Sequence, residues 1–508
     1  MDHARFEHLV RRLELDSHAS PAAFRRKVYV ISVMAYVVLF AALGGLTALF
    51  VFSMRWALEA HRTFTMIKLG LFGLVLLPMI FVVLRMMFMR LDKPTGRPLT
   101  RAEAPKLFDV LDKLRDKLKG PPIHQVLLDD DYNAAICQHA RFGIFGGHTN
   151  YLIVGLPFLI GSTPKEMLSV IAHEYGHLCG SHGKAAAWVY RQRQVFVGLY
   201  EKIEGGAGED IVSTVLAAAL QRFFPYYSAY TFVLSRQQEY EADRTAADMA
   251  GSTHSGQGLV RARLLGRWLA HEFWPRLYAN ADRLEQPPFL PYSAMRVAFK
   301  ASYGDWATKE ALDAAWAERS DVDDTHPCLR DRLEAINAQP ALPPVVDVPA
   351  LDVLLASGTS KQLVAEFDEQ WWRDNRKGWG ERFRHVGRSQ ARIRELTEKP
   401  LEQLNVPSLQ ELAVLQMEFN GPAAARPVLE QQLKRPGGPY PKASMLFGRV
   451  LLAESNVRGL DYLRDAARHD ASLVMEAAER GFHYFMEQKD EYAANQWWRS
   501  MVPEEAAA

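Results

Sequence analysis

The stretch STPKEMLSVIAHEYGHL, residues 162 to 178, constrains the fold more tightly than any other part of the chain. Thr163 is a favoured N-cap residue, Pro164 suits the first helical position, and Glu166, three after the cap, completes a capping box. The spacing predicts a helix from 164 to about 178. His173 and His177 are four apart on it, so their rings project from one face, one turn apart, as a tetrahedral metal requires. Glu174 is turned about 100° away and reaches a water beside the metal rather than the metal itself. Two imidazoles do not close such a site. The chain must bring a further donor from elsewhere and hold it against this helix.

Three candidates present themselves. In HEYGHLCGSH, His182 follows Gly180 but stands five residues after His177. The pattern HExxHxxGxxH wants its third histidine at position 183, which is Gly183. On a continuous helix His182 points about 140° away from His177, which suits a bystander at the helix end. The second candidate is SRQQEYEADRTAADMA, residues 235 to 250, where Glu239 and Asp243 share a helix face and Glu241 points away. A Glu239 oxygen would complete a His₂Glu set with one open position, and Asp243 would accept the far ring N–H of a ligand histidine. The same residues also suit a solvated acidic face. The third is His326 in DTHPCLRDRL, where Pro327 fixes the backbone beside it. It would stabilise an oxyanion, or block water as a fourth ligand; a surface-turn histidine looks no different in sequence. The imidazole pair suits Zn²⁺, one per chain, which acidifies a water to a pKa of about 7. Glu174 would take the proton and pass it to a leaving amine.

Upstream lie two apolar runs. Residues 28 to 54 carry no charge over 27 positions, more than the roughly 20 that span a bilayer. Residues 69 to 84 add sixteen, flanked by Lys68 and Arg85, with Pro78 tolerable in a membrane helix. The expectation is a transmembrane helical hairpin over 28–90 after a tail, 1–27. Arg11, Arg12, Arg25, Arg26 and Lys27 precede it, and Arg90, Lys93, Arg97 and Arg101 follow, against Arg55 and Arg62 in the connection. The positive-inside rule then makes this an integral membrane protein, of the inner membrane in a bacterium, with both flanking parts cytoplasmic and the lipid bilayer as a partner. Residues 211–234 are apolar enough to raise a further span, but Gln221, Arg222 and Pro225 favour a kinked core helix.

The remaining pattern is mainly α with a small antiparallel β-sheet. An amphipathic helix is expected over 102–119, with strands at 126–128 and 151–156 and a turn at Gly146 and Gly147. QPALPPVVDVP, residues 339–349, reads as a linker between a domain at 100–338 and helical pairs over 350–508. Leu429, Leu463 and Trp497 recur every 34 residues, a tetratricopeptide-like period suited to protein partners. A net charge of +1 gives no reason to expect nucleic acid.

HEYGH, then SRQQEYEAD, then THPCLRDR together resemble the zinc metallopeptidase family, gluzincin in type, of the HtpX heat-shock protease and the CAAX prenyl proteases. NAAICQHARFGIFGGHTNYLIVGLPFL, residues 133–159, resembles that family's segment ahead of its metal helix. The resemblance covers roughly 100 to 340. It implies His173, His177 and Glu239 as ligands, Glu174 as general base, and Asp243 supporting a ligand histidine. It also implies His326 and Arg332 near the active site. The strand from Asn133, with Ala134 and Ala135, would align substrate by backbone pairing. On this reading the chain is a membrane-anchored zinc endopeptidase acting on membrane-associated or misfolded proteins. The rival is a latched or inactive peptidase-fold chaperone or assembly factor that binds proteins through its helical repeats.

Overall fold

The computed structural model describes residues 3–59, 62–87, 93–140, 147–179, 188–189, 192–193, 211–322, 324 and 326–502. His182 and Gly180 lie outside them, as does Gly146 of the expected turn. The described chain is mainly helical and forms two compact units: Met1–Leu277 with Phe289–Asp374, and Tyr278–Pro288 with Asn375–Ala508.

The first unit opens with helices α1 (His3–Ala19), α2 (Pro21–Glu59) and α3 (Thr63–Met87). Strand β1 (Arg97–Leu99) and helix α4 (Pro105–Leu118) follow, then strands β2 (Gln125–Asp129), β3 (Ala134–Ala140) and β4 (His148–Gly155). Helices α5 (Leu156–Gly161) and α6 (Pro164–Cys179) come next, then α7 (Ile211–Ala250) and α8 (Ser252–Trp268).

The two apolar runs do form helices, α2 and α3, which pack on each other. Among the described residues, however, no helix is long and apolar enough to cross a membrane. This overturns the transmembrane hairpin and the integral membrane location. The charge-based placing of the flanking parts in the cytoplasm, and the bilayer as partner, lose their basis with it. A count of uncharged positions does not register helix–helix packing. Val28, Ser32 and Ala35 lie one turn apart on α2 and are buried, and Val28 joins a core with Val10, Leu13, Phe24, Phe232 and Val233. Other faces of the pair expose Val30, Val33, Leu71 and Val75. Residues 211–234 form the first part of α7, with Pro225 inside it and Tyr227, Ala229, Phe232 and Val233 buried.

The sheet has the order β1-β2-β4-β3 and is mixed, not antiparallel as expected. β2 and β4 run parallel, with Val126 opposite Leu152. The chain leaves β2, passes through β3 at the far edge and returns as β4 between them, so β4 must run with β2. That crossing depends on a missing side chain. A Cβ at Gly155 would stand 1.6 Å from the Asp131 carbonyl oxygen, while the Gly155 N–H donates to Asn133 O at 2.8 Å. β3 pairs only with β4 in this sheet and is left as an edge strand.

The capping box at α6 forms as expected. The Thr163 N–H donates to Glu166 Oε2 at 2.8 Å, and the Glu166 N–H to Thr163 Oγ1 at 3.3 Å. Glu166 has a second partner. Arg261 of α8 donates to both its oxygens, at 2.9 and 3.1 Å, with both side chains 1% exposed. Arg261 also donates to the Pro344 carbonyl at 2.6 Å, so one guanidinium ties α6, α8 and the 339–349 segment together. Arg261→Met leaves Glu166 charged and buried without its partner. We expect a loss of about 3–5 kcal/mol of stability, read from urea unfolding monitored by tryptophan fluorescence.

The proline-rich segment does not separate the compact units. Tyr303 Oη donates to Pro343 O, the Ala350 N–H to Ser162 O and the Ala356 N–H to Glu103 O, all within the first unit. The division falls instead inside the helix Thr359–Thr397. In the second unit, three helix pairs follow one another: Val406–Phe419 with Pro422–Leu433, Pro441–Ala453 with Gly459–His469, and Val474–Glu487 with Glu491–Met501. Leu429, Leu463 and Trp497 each lie buried in the second helix of a pair.

Candidate metal centre

α6 and α7 pack closely because Gly176 has no side chain. A Cβ there would lie 3.2 Å from Ala242 Cα and 3.4 Å from Ala242 Cβ. One turn earlier on α7, Glu239 reaches the two histidines of α6. The Nε2 atoms of His173 and His177 are 3.2 Å apart. Glu239 Oε2 is 3.5 Å from His173 Nε2, and Oε1 is 3.4 Å from His177 Nε2. Donors held tetrahedrally at bonds of about 2.0–2.1 Å stand about 3.3 Å from one another. The imidazole pair matches that spacing, each histidine has one Glu239 oxygen at a similar distance, and one ligand atom from each of the three residues lies within 4.8 Å of the others. Glu239 Oε2 is also buried without a hydrogen-bond partner, a cost that a cation would remove. Two imidazoles and one carboxylate are a donor set suited to zinc.

Electrostatics separate the two histidines. Burial, and then the charge of His173, push His177 down to about 4, so it is neutral with a lone pair to offer. Burial opposes charge on His173 too, but the carboxylates of Asp243 and Glu239 beside it outweigh that and raise it to about 9. Below that pH, a cation must displace a proton from His173. We therefore expect zinc uptake at pH 7 to release about one proton per chain, and apparent affinity to fall about tenfold per unit as pH drops from 8 to 6. Calorimetric titration in buffers of different ionisation enthalpy measures both.

Behind His173 stands Asp243. Its Oδ1 lies 2.9 Å from His173 Nδ1. Arg332, on the helix Leu329–Ala335, grips the same carboxylate in bidentate fashion, Nε to Oδ2 at 2.9 Å and Nη2 to Oδ1 at 2.7 Å. Burial disfavours the Asp243 charge, but Arg332 and His173 more than offset it and hold the carboxyl well below the usual range. The ionised Asp243 thus accepts a hydrogen bond from the Nδ1–H and leaves Nε2 to face the donor cluster. Asp243→Ala should weaken zinc binding by about 10–100-fold, measured by competition with a chelating dye.

Glu174 faces β3. Its Oε2 accepts the Ile136 N–H at 3.1 Å, and burial raises its pKa. Glu174 lines a cleft of about 670 Å³ with His173, Asn133, Ala134, Asp243, His326 and Arg332. Ala135 does not line it, since successive strand residues face opposite ways. His326 is 59% exposed, and its Nε2 stands 3.8 Å from Glu239 Oε2, beside the donor set rather than in it. Sequence reasoning missed Ile136, which acts through its backbone amide and so leaves no trace in residue type.

Residues 117–339 match the model of peptidase family M48. This segment is an M48 metallopeptidase domain. The M48 family is one of zinc metallopeptidases, and the domain contains the whole His173, His177 and Glu239 cluster. Comparison with curated proteins and with solved structures gives no match. Asp243, His326 and Arg332 also fall inside the M48 segment, whereas the C-terminal helix pairs lie beyond it.

Proposed function

We propose that the M48 domain is a zinc-dependent endopeptidase that cleaves extended segments of misfolded proteins, with one zinc ion held by His173, His177 and Glu239. The convergence of those three donors beside a half-buried glutamate carries the reading. When bound, the ion polarises the peptide carbonyl and acidifies the attacking water. Glu174 takes the water's proton and hands it to the leaving nitrogen. Burial makes it a stronger base than an exposed glutamate, and the Ile136 N–H fixes one of its oxygens. Asp243 and Arg332 hold His173 in the tautomer that ligation needs.

β3 supplies the substrate track. The Ile136 N–H points away from β4 toward Glu174, so this edge of the strand faces the cleft. A substrate strand adding beside Asn133, Ala134 and Ala135 would bring its scissile bond to Glu174. His326 would stabilise the oxyanion. Removing such a donor costs about 10²–10³ in kcat, the loss expected for His326→Ala. A second reading draws on the 3.8 Å separation of His326 Nε2 and Glu239 Oε2, which places a third imidazole within reach of the donor set. There His326 latches the site, the chain acts by binding proteins, and His326→Ala raises hydrolysis. The helix pairs of the second unit would recruit protein partners in either case.

The test is cleavage of an unstructured protein by the zinc-loaded chain, with new termini mapped by mass spectrometry. Cuts at internal bonds are expected, with a Glu174→Gln preparation slower by at least about 10²-fold. Release of terminal residues alone, or equal cutting by both preparations, overturns the reading.

A further inference from the structure

His326 is the most exposed group at the centre, yet its ring is aimed at Glu239, and burial does not explain that. Two bonds fix it locally. Asp324 Oδ1 accepts the His326 N–H at 2.8 Å and lies 3.2 Å from its Nδ1. Asp324 is in turn held by Arg236 of α7, which stands three residues before Glu239 and is 7% exposed. Arg236 Nη2 donates to Asp324 O at 3.2 Å and to Asp321 O, and its Nη1 lies 2.5 Å from Glu14 Oε1 on α1. The guanidinium carbon sits 4.7 Å from the centre of the Phe232 ring.

A second contact joins the same two parts. Val322, between the two carbonyls that Arg236 binds, is 8% exposed and packs in the core of Val10 and Leu13 from α1 with Phe232 and Val233 from α7. Helix α1 therefore holds this segment by an apolar plug and by an ion pair.

We propose that the N-terminal helix positions His326 over the metal centre, through Glu14, Arg236 and Asp324. Arg236 is a positioning residue. Its planar fork engages one carboxylate and two carbonyls together, which an ammonium group cannot do with the same geometry. Without Glu14, a buried cation faces carbonyl dipoles and the Phe232 ring with no counter-charge, and the segment bearing Asp324 loses its ionic link to α1.

The rate part of the test rests on the peptidase reading; the exchange part does not. Glu14→Gln, His326→Ala and the double variant are compared with wild type for bound zinc, kcat, KM and amide exchange at His326. Glu14 is partly exposed, and circular dichroism and urea unfolding of Glu14→Gln check that the variant is folded before its rates are compared. Zinc content should stay unchanged. Glu14→Gln should move kcat in the same direction as His326→Ala, by about threefold or more, with KM nearly constant. In the His326→Ala background it should add nothing. Exchange at His326 should quicken several-fold in Glu14→Gln, and Arg236→Lys should behave like Glu14→Gln. Unchanged kcat and unchanged exchange, or effects that multiply in the double variant, overturn the proposal. If wild type cleaves nothing, the peptidase reading fails, and exchange at His326 alone decides this one: faster supports it, unchanged defeats it.

Discussion

Glu239→Gln is expected to strip the chain of its metal and abolish hydrolysis, with kcat/KM down by at least about 10³-fold. The side chain keeps its size, so packing between α6 and α7 survives. What changes is charge. The carboxylate is held down to about 2: burial works against it, but the two histidines beside it prevail. A neutral amide in that place offers a weaker donor and cannot balance a dication. Two imidazoles then remain, and tetrahedral closure fails. Metal analysis should find well under one tenth of an equivalent bound after dialysis. Glu241→Gln is the matching control, since Glu241 lies outside the donor cluster two positions on. It should keep both metal and rate.

Glu174→Gln is expected to do the opposite to the metal and nearly the same to the rate. Glu174 is no member of the donor cluster, so zinc should remain at one equivalent. The base is gone, however. Positioned proton transfer contributes about 10²–10⁴-fold, and kcat should drop by that factor with KM little changed. The Ile136 N–H can still bond to the amide oxygen, so the strand beside the cleft keeps its place. Together the two variants separate holding the metal from using it. If Glu174→Gln lost zinc as well, the assignment of roles within HEYGH would be wrong.

The α6 helix was fully legible in sequence, because its start, its cap and its ligand spacing are all local. Glu166 shows the limit. Its capping role could be read three residues from Thr163, but its buried pairing with Arg261 spans 95 positions and has no local sign. Glu239 was one of three candidates on residue chemistry alone; the resemblance singled it out, and the distances to His173 and His177 support the choice. The sheet was misread as antiparallel because strand direction depends on where β4 inserts, and hydropathy does not encode that. The N-terminal runs were misread for a related reason. Apolar length counts residues but does not distinguish a face turned to lipid from one turned to α1 and α7.

The most direct test is a zinc titration of the chelator-stripped chain, following hydrolysis of a fluorogenic peptide at each addition. The expected result is no activity without metal and a linear rise that levels off at one equivalent. Cleavage that persists after stripping, or a fully loaded chain that cleaves no peptide, would contradict the account.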